Sequence, residues 1–340
     1  MNIKNTLIEL AKASSAPGQE YSVAPLAEKM LSEYATVTTD SLGNVVGHKE
    51  GEGKHFLLDA HLDSIGMVVT AVEENGFLRV DKCGGIDIRT IAAQDVIVHG
   101  REDLFGVVTS IPPHLSKGDE KKAAGFDEIM IDTGIDGDRI FSLVAPGDRV
   151  TLKAQYGEMA NGILSGAYFD NKAGVCAVLR CLEILKEADC KNEITVLFSA
   201  QEEAGLVGAR AGGFNCNADE CICVDVSFAK TNATPKSITA SLGEGTMIGF
   251  APVLSYEMSR NLEALAKEKN IPYQLEVMSS STGTNADVIA VSAHGKKTAL
   301  LSFPLKNMHT AVEVIDPVDI EYTAQLMAKY ILTFGGADNA

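Results

Sequence analysis

Apolar runs of strand length recur along this chain, and the positions just beyond them are taken by histidine or a carboxylate. Phe56-Leu57-Leu58 delivers Asp59-Ala60-His61-Leu62-Asp63, and Ile194-Thr195-Val196-Leu197-Phe198 leads to Glu202-Glu203. Ile222-Cys223-Val224 ends on Asp225, and Ala299-Leu300-Leu301-Ser302-Phe303 precedes His309. Helical patterns lie between the runs. Val175, Val178, Leu179, Leu182 and Leu185 form one face after Asp170, further patterns span 255–269 and 284–292, and Asp316-Pro317 supplies the cap and first turn of a last helix. Two more helices precede the first strands, one with Ile3, Leu7 and Leu10 and one with Val23, Ala27 and Leu31, broken at Pro17-Gly18. Strand and helix in alternation predict an α/β fold, a doubly wound mixed sheet with helices on both faces. In such sheets ligands gather beyond the carboxyl ends of the strands, where these histidines and acids fall.

The texture changes between residues 66 and 157. Short β-type runs are punctuated there by Asn75-Gly76, Gly84-Gly85, Pro112-Pro113, Gly134 and Pro146-Gly147-Asp148. This predicts an inserted, small β-barrel-like domain at 66–157, with 1–65 and 158–340 forming one larger, discontinuous domain.

With 340 residues, 46% of them hydrophobic, the chain can bury a sizeable core. Its 46 acidic against 29 basic residues give a formal charge of −17, which opposes nucleic acid and anionic lipid as partners. No segment approaches the roughly 20 apolar residues of a membrane helix. The N-terminal segment interrupts its apolar residues with Lys4 and Glu9, unlike a secretory signal, so the expected location is the cytoplasm. Seven cysteines, an odd number, are expected as reduced thiols. Cys216, Cys221 and Cys223 suggest a soft metal site, but Cys-Ile-Cys-Val-Asp-Val reads as a buried strand.

Singly, the acids and histidines have ordinary explanations: Asp170 as a helix cap, Glu202-Glu203 as a solvated pair, His309 as a hydrogen-bonded loop residue. Together they do not. Several carboxylates buried at one rim carry a penalty of roughly several kcal/mol each unless cations accompany them, and divalent metals supply that charge.

The motifs also resemble a known family. Ala60-His61-Leu62-Asp63, Phe169-Asp170-Asn171-Lys172-Ala173-Gly174, Gln201-Glu202-Glu203-Ala204-Gly205-Leu206-Val207-Gly208, Val224-Asp225-Val226, Gly283-Thr284-Asn285-Ala286 and Met308-His309-Thr310-Ala311-Val312-Glu313 occur in this order along nearly the whole chain. The set is similar to that of the tetrahedral or glutamyl aminopeptidase family of dinuclear metallopeptidases. The resemblance implies one metal on His61, Asp170 and Asp225 and another on Asp170, Glu203 and His309, bridged by Asp170. Nitrogen and carboxylate donors suit zinc or cobalt, with manganese also admitted, and a shared carboxylate can hold two cations about 3.5–4 Å apart. Glu202 is expected as the general base and Asp63 as the carboxylate that orients His61. The implied substrates are peptides with a free N-terminus. The implied assembly is a homo-oligomer, dimers building a dodecamer, with the insertion serving assembly and access to the cleft.

Four places depart from the family's usual wording: Ser64 where Glu often follows, Lys172 where Arg is frequent, Asn285 where Asp is common, and Lys306-Asn307 where Arg-Tyr often stands. None removes an implied ligand. Acidic, aliphatic and basic N-terminal preferences all stay open. Two other readings also stand: a glucanase-type glycoside hydrolase, since paired acids also cut sugars, and a noncatalytic peptide-binding or assembly protein on the same fold. His48, His55, His99, His114 and His294 are read as structural or exposed. The Gly243-Glu244-Gly245-Thr246 turn lacks the surroundings of a phosphate cradle and is read as a loop near the cleft.

Overall fold

The computed structural model describes residues 1–115 and 123–336. Residues 116–122 of the expected insertion and 337–340 of the larger domain lie outside the described residues. An eight-stranded mixed sheet occupies the centre. Its inner strands, Glu193–Ser199, His55–His61, Glu220–Phe228 and Lys297–Leu305, are neighbours in that order and run parallel. The hairpin of Thr36–Thr39 and Val45–Lys49 extends one side, antiparallel to Glu193–Ser199. On the other side Thr246–Phe250 runs antiparallel to Lys297–Leu305, and Tyr273–Val277 lies parallel to it at the edge.

The inner strands read as nearly continuous apolar runs because both of their faces are covered. Their two-residue alternation divides them between two cores. Phe56, Leu58, Ile222 and Val224 enter the larger one, and Leu57, Cys221 and Cys223 the smaller. The larger core is completed by helices Ile3–Lys12, Val23–Leu31, Phe169–Glu187, Tyr256–Lys269 and Pro317–Phe334, the smaller by Val207–Asn215 and Ala286–Ile289. Helices therefore cover both faces of a mixed α/β sheet, as the alternation predicts. All seven cysteines are free. The Cys221 and Cys223 sulfurs, 3.7 Å apart, belong to packing, and no metal-spaced group of the described residues includes them.

The last helix begins as its sequence signals, with Pro317 in the first turn and the Asp316 side chain accepting the Val318 N–H at 3.1 Å. The helix expected at 284–292 contracts to Ala286–Ile289. Asp287 accepts the N–H groups of Thr282 and Gly283, which holds the preceding residues in a turn, and Ala293 soon takes left-handed backbone. The sequence reading passes over Thr246–Phe250 and Tyr273–Val277. In the latter, Leu275 and Val277 stay exposed, so the strand lacks the burial on which the apolar-run signal depends.

Six strands between Gly66 and Leu152 close a barrel in the order Gly66–Val72, Leu78–Cys83, Ile131–Asp132, Asp103–Val108, Asp95–His99 and Arg149–Leu152. Met67, Val69, Leu78, Val96 and Val150 are buried in it. Among the described residues no helix is long and apolar enough to cross a membrane.

Candidate metal centre

Each candidate ligand is presented by a different strand end, helix start or connection at the carboxyl rim of the sheet. His61 is the last residue of His55–His61. Asp170 is the second residue of Phe169–Glu187, where the backbone is not yet helical (φ −76°, ψ 110°). Asp225 lies within Glu220–Phe228, opposite Ser302 of the neighbouring strand. Glu202 and Glu203 occupy the turn beyond Ser199, and His309 stands in the loop before Glu313–Ile315, in left-handed backbone at φ 64°.

The fold brings these residues together. His61 Nε2 lies 3.2 Å from Asp170 Oδ1 and 3.7 Å from Asp225 Oδ1. His309 Nε2 lies 3.3 Å from Asp170 Oδ2 and 3.3 Å from Glu203 Oε1. Two triads result, His61–Asp170–Asp225 and Asp170–Glu203–His309, with the ligand atoms of each within 4.8 Å of one another and Asp170 common to both. One Asp170 oxygen faces each triad. The Glu202 carboxyl stands outside both triads, 3.9 Å from His61 Nε2. Imidazole and carboxylate donors at this spacing fit divalent cations of the zinc, cobalt or manganese type.

The electrostatics of the cluster express the same crowding of acids. Burial works to lower the His61 pKa, but Glu202, Asp170, Asp225 and Asp63 outweigh it and hold the imidazole well above its ordinary range. For His309, burial is again outweighed, by Asp170 and Glu203, and the value is pushed up to about 11. Burial would raise Asp170, yet the two imidazoles hold it below the usual carboxylate range. Glu202 is pushed up to about 9, chiefly by burial, with Asp225, Glu203 and Asp170 adding to it against His61. Burial also raises Glu203 and Asp225.

Both imidazoles are oriented by backbone carbonyls. His61 Nδ1 lies 3.1 Å from the Asp63 oxygen, and His309 Nδ1 lies 3.0 Å from the Gly85 oxygen. A carbonyl can only accept, so Nδ1 carries a proton in each ring and Nε2 is turned to the acids. The Asp63 carboxylate lies 3.5 Å from His61 Nδ1, but its closer bonds are to the turn that carries the glutamates. It accepts the Glu202 N–H at 2.8 Å and the Glu203 N–H at 3.0 Å. Gly85 belongs to the barrel segment, and a Cβ there would sit 2.6 Å from His309 Nδ1.

Several contributors have roles that their place in the motifs leaves unassigned. Glu313 is buried and accepts the N–H groups of Phe169 (2.8 Å), Asp170 (3.3 Å) and His309 (3.1 Å), fixing two candidate ligands at once. Burial, with Asp170 beside it, pushes its carboxyl up to about 8. Asp59 and Asn285 pair below the cluster. The Asn285 amide donates to Asp59 Oδ2 at 2.9 Å and to Ser199 Oγ at 2.8 Å, where a second Asp would offer no permanent donor. Ser64 and Lys172 also meet each other. The buried Lys172 ammonium donates to Ser64 Oγ (2.9 Å), Ser15 Oγ (2.9 Å) and the Leu62 carbonyl, and Ser64 Oγ donates in turn to the Asp170 carbonyl at 3.0 Å. Two departures from the family wording are thus one contact. Lys306 bridges to Val314, and the Asn307 side chain donates to the Val312 carbonyl within the His309 loop.

A cavity of about 880 Å³ opens over the cluster. His61, Asp170, Glu202, Glu203, Asp225 and His309 line one end, and the wall continues through Ser227, Met247, Glu276 and Met278. The Gly243–Thr246 turn is no phosphate cradle. Its Gly243 and Gly245 N–H groups both donate to the Asp319 carboxylate, each at 2.8 Å. Of the remaining histidines, His48 and His55 both meet Thr195 Oγ1 and come within metal-ligand spacing of Glu193. His99 is bonded to Ser14, Thr151 and Asp103.

Comparison with known proteins places the arrangement. The lysyl aminopeptidase of Pyrococcus furiosus is 30% identical over 87% of this chain and 86% of its own length. An aminopeptidase from the archaeon Desulfurococcus kamchatkensis superposes with a TM-score of 0.90 at 28% identity, covering 97% of this chain and 94% of that one. The TET1 peptidase of Pyrococcus horikoshii, described as assembling into a tetrahedron or a large octahedral shell, gives a TM-score of 0.86 at 25% identity, with 96% and 98% covered. The model of the M42 glutamyl aminopeptidase family matches residues 43–326, and the chain belongs to that family of peptidases.

Proposed function

We propose that this chain is a cytoplasmic, two-metal aminopeptidase that hydrolyses the N-terminal bond of peptides, with His61, Asp170 and Asp225 holding one divalent cation and Asp170, Glu203 and His309 the other. The observation that carries this reading is the division of the Asp170 carboxyl, one oxygen toward each imidazole-containing triad, 3.2 Å and 3.3 Å from the two Nε2 atoms. When bound, zinc, cobalt or manganese would supply Lewis-acid activation of a water and of the scissile carbonyl.

The chain's own residues do the rest. Glu202, at the cavity wall and outside both triads, is the general base. In the metal-free chain burial and the neighbouring acids push its carboxyl up to about 9, and two bound cations would draw it back to the carboxylate, the form that takes a proton from water and returns it to the leaving amine. Asp63 holds the Glu202 and Glu203 amides and so sets the directions in which the two carboxylates leave the turn. A free α-amine, with a pKa of about 7.7–8.0, is readily presented neutral to such a site. The likeness to the TET1 peptidase supports a homo-oligomer; within this reading dimers build a dodecamer, the segment 66–157 acts as the inserted assembly domain and 1–65 with 158–340 as the catalytic one.

The test is Glu202→Gln, assayed on aminoacyl substrates with added cobalt, zinc or manganese, beside its metal content. The expected result is a loss of about 10²–10⁴-fold in kcat with two metal equivalents retained. Undiminished turnover sinks the base assignment. Chelator-insensitive release of sugar from a β-glucan supports the glycosidase reading instead, and bound metal without turnover on a broad peptide panel supports a binding protein.

A further inference from the structure

We propose that Glu276 forms a subsite for a positively charged N-terminal side chain, so that the preferred substrates are peptides beginning with lysine or arginine; this rests on the aminopeptidase reading above. Glu276 lies on the edge strand Tyr273–Val277 and lines the same cavity as the acid and histidine cluster. Its carboxyl accepts hydrogen bonds from Ser302 Oγ at 3.0 Å and from Ser227 Oγ. Ser302 is the direct register partner of Asp225, and Ser227 follows Asp225 by two residues on the same strand face. Neighbouring strands lie about 4.8 Å apart. The Glu276 carboxyl is therefore anchored beside the end of the cavity that holds Asp225, within reach of the first side chain of a substrate whose amine sits at the cluster.

The surroundings of this carboxyl leave it short of positive charge. Its hydrogen-bond partners are neutral hydroxyls, the charge acting on it is another acid, Asp225, and among the described residues no ion pair includes it. Hydroxyls can donate to a half-buried carboxylate but cannot neutralise it, whereas an ammonium or guanidinium does both. Lysine brings that cation on a flexible four-carbon stem. Met247 and Met278 on the same wall offer apolar surface to such a stem. An acidic first residue would meet like charge, and an aliphatic one would displace water from Glu276 without supplying a partner.

The experiment compares metal-loaded full-length protein with its Glu276→Gln variant on lysyl, arginyl, norleucyl, leucyl and glutamyl p-nitroanilides, and by calorimetry with L-lysine and L-norleucine. Norleucine keeps the aliphatic stem of lysine and lacks its ammonium. Expected for the wild type is a kcat/KM for lysyl substrate at least about tenfold above norleucyl, with glutamyl lowest. Glu276→Gln should collapse the lysyl-to-norleucyl ratio toward one, and tighter binding of L-lysine than of L-norleucine should disappear with it. The wild-type ranking needs no variant, so a misfolded substitution does not rescue the idea. A wild type that prefers norleucyl, leucyl or glutamyl substrate overturns it. So does an equal loss on every substrate in a folded variant, which would place Glu276 at the common α-amino group. Lysine-selective binding without turnover keeps the subsite and overturns the hydrolytic reading, while turnover without selectivity does the reverse.

Discussion

His309 is tied to Gly85 across 224 residues of sequence, its Nδ1 lying 3.0 Å from the Gly85 carbonyl oxygen. A loop of the barrel segment thereby sets the ring orientation of a candidate ligand on the sheet. Gly85→Ala would place a Cβ 2.6 Å from that nitrogen. The expected result is a loss of about 10–100-fold in affinity at the Asp170–Glu203–His309 triad, with the circular dichroism spectrum unchanged. Metal retained during dialysis against graded chelator measures it.

Loading the site should release protons. The imidazoles must be neutral to bind a cation, yet in the chelated protein the acids hold His61 well above its ordinary range and His309 near about 11. At pH 7 both are protonated, and so is Glu202 at about 9. About two or more protons per chain should therefore appear when zinc or cobalt is added to chelator-treated protein. Calorimetry in buffers of different ionisation enthalpy counts them, and binding without release would contradict the described electrostatics.

Lys172 and Ser64 should behave as one unit. Burial is the main cause that lowers the Lys172 ammonium to about 8, with Asp63 and Asp170 acting against it. Lys172→Met should lower stability by about 3–5 kcal/mol, since it strands buried acceptors and removes a cation from among acids. Ser64→Glu and Lys172→Arg should each destabilise alone by about 1–3 kcal/mol. Combined, they should recover at least about 1 kcal/mol through the restored carboxylate–guanidinium pair. Denaturant midpoints of the four proteins close the cycle.

Asp319 gives a pH signature outside the metal cluster. Burial pushes its carboxyl up to about 7 from an ordinary 3.8, against the opposing bonds from Gly243 and Gly245. Between pH 4 and 7 the folded chain then holds a proton that the unfolded chain lacks. Its contribution is thus most favourable below about pH 4 and falls as pH rises toward 7, by at most a few kcal/mol. Relative to Asp319→Asn, the wild type should lose stability between pH 5 and pH 8. Melting of the two proteins in the same chelator checks this, and a constant difference would count against it.

The inner sheet was legible because its strands are buried on both faces, so Phe56, Ile222 and Leu301 leave unbroken apolar runs whose ends point to His61, Asp225 and His309. Edge strand Tyr273–Val277 was not, since its apolar residues face outward and Glu276 looks like any surface acid. Glu313, although it closes one of the motifs, and Gly85 had roles that could not be read for another reason. Their roles are contacts between segments far apart in the chain, Glu313 with Phe169 and Gly85 with His309, and no local periodicity encodes such meetings. The pairing of Ser64 with Lys172 was equally hidden: each looked like a separate departure until the fold joined them.

The grip of Asp63 on two successive amides has a consequence for how this enzyme can change over evolutionary time. Because adjacent side chains diverge, pinning that peptide unit turns one glutamate into the triad and leaves the other beside it. Deleting a single residue between Phe198 and Glu202 would put Ala204 in the place of Glu203, and inserting one would put Gln201 in the place of Glu202, so either change costs the site one carboxylate. Length in this short connection is therefore more tightly constrained than the identity of most residues within it.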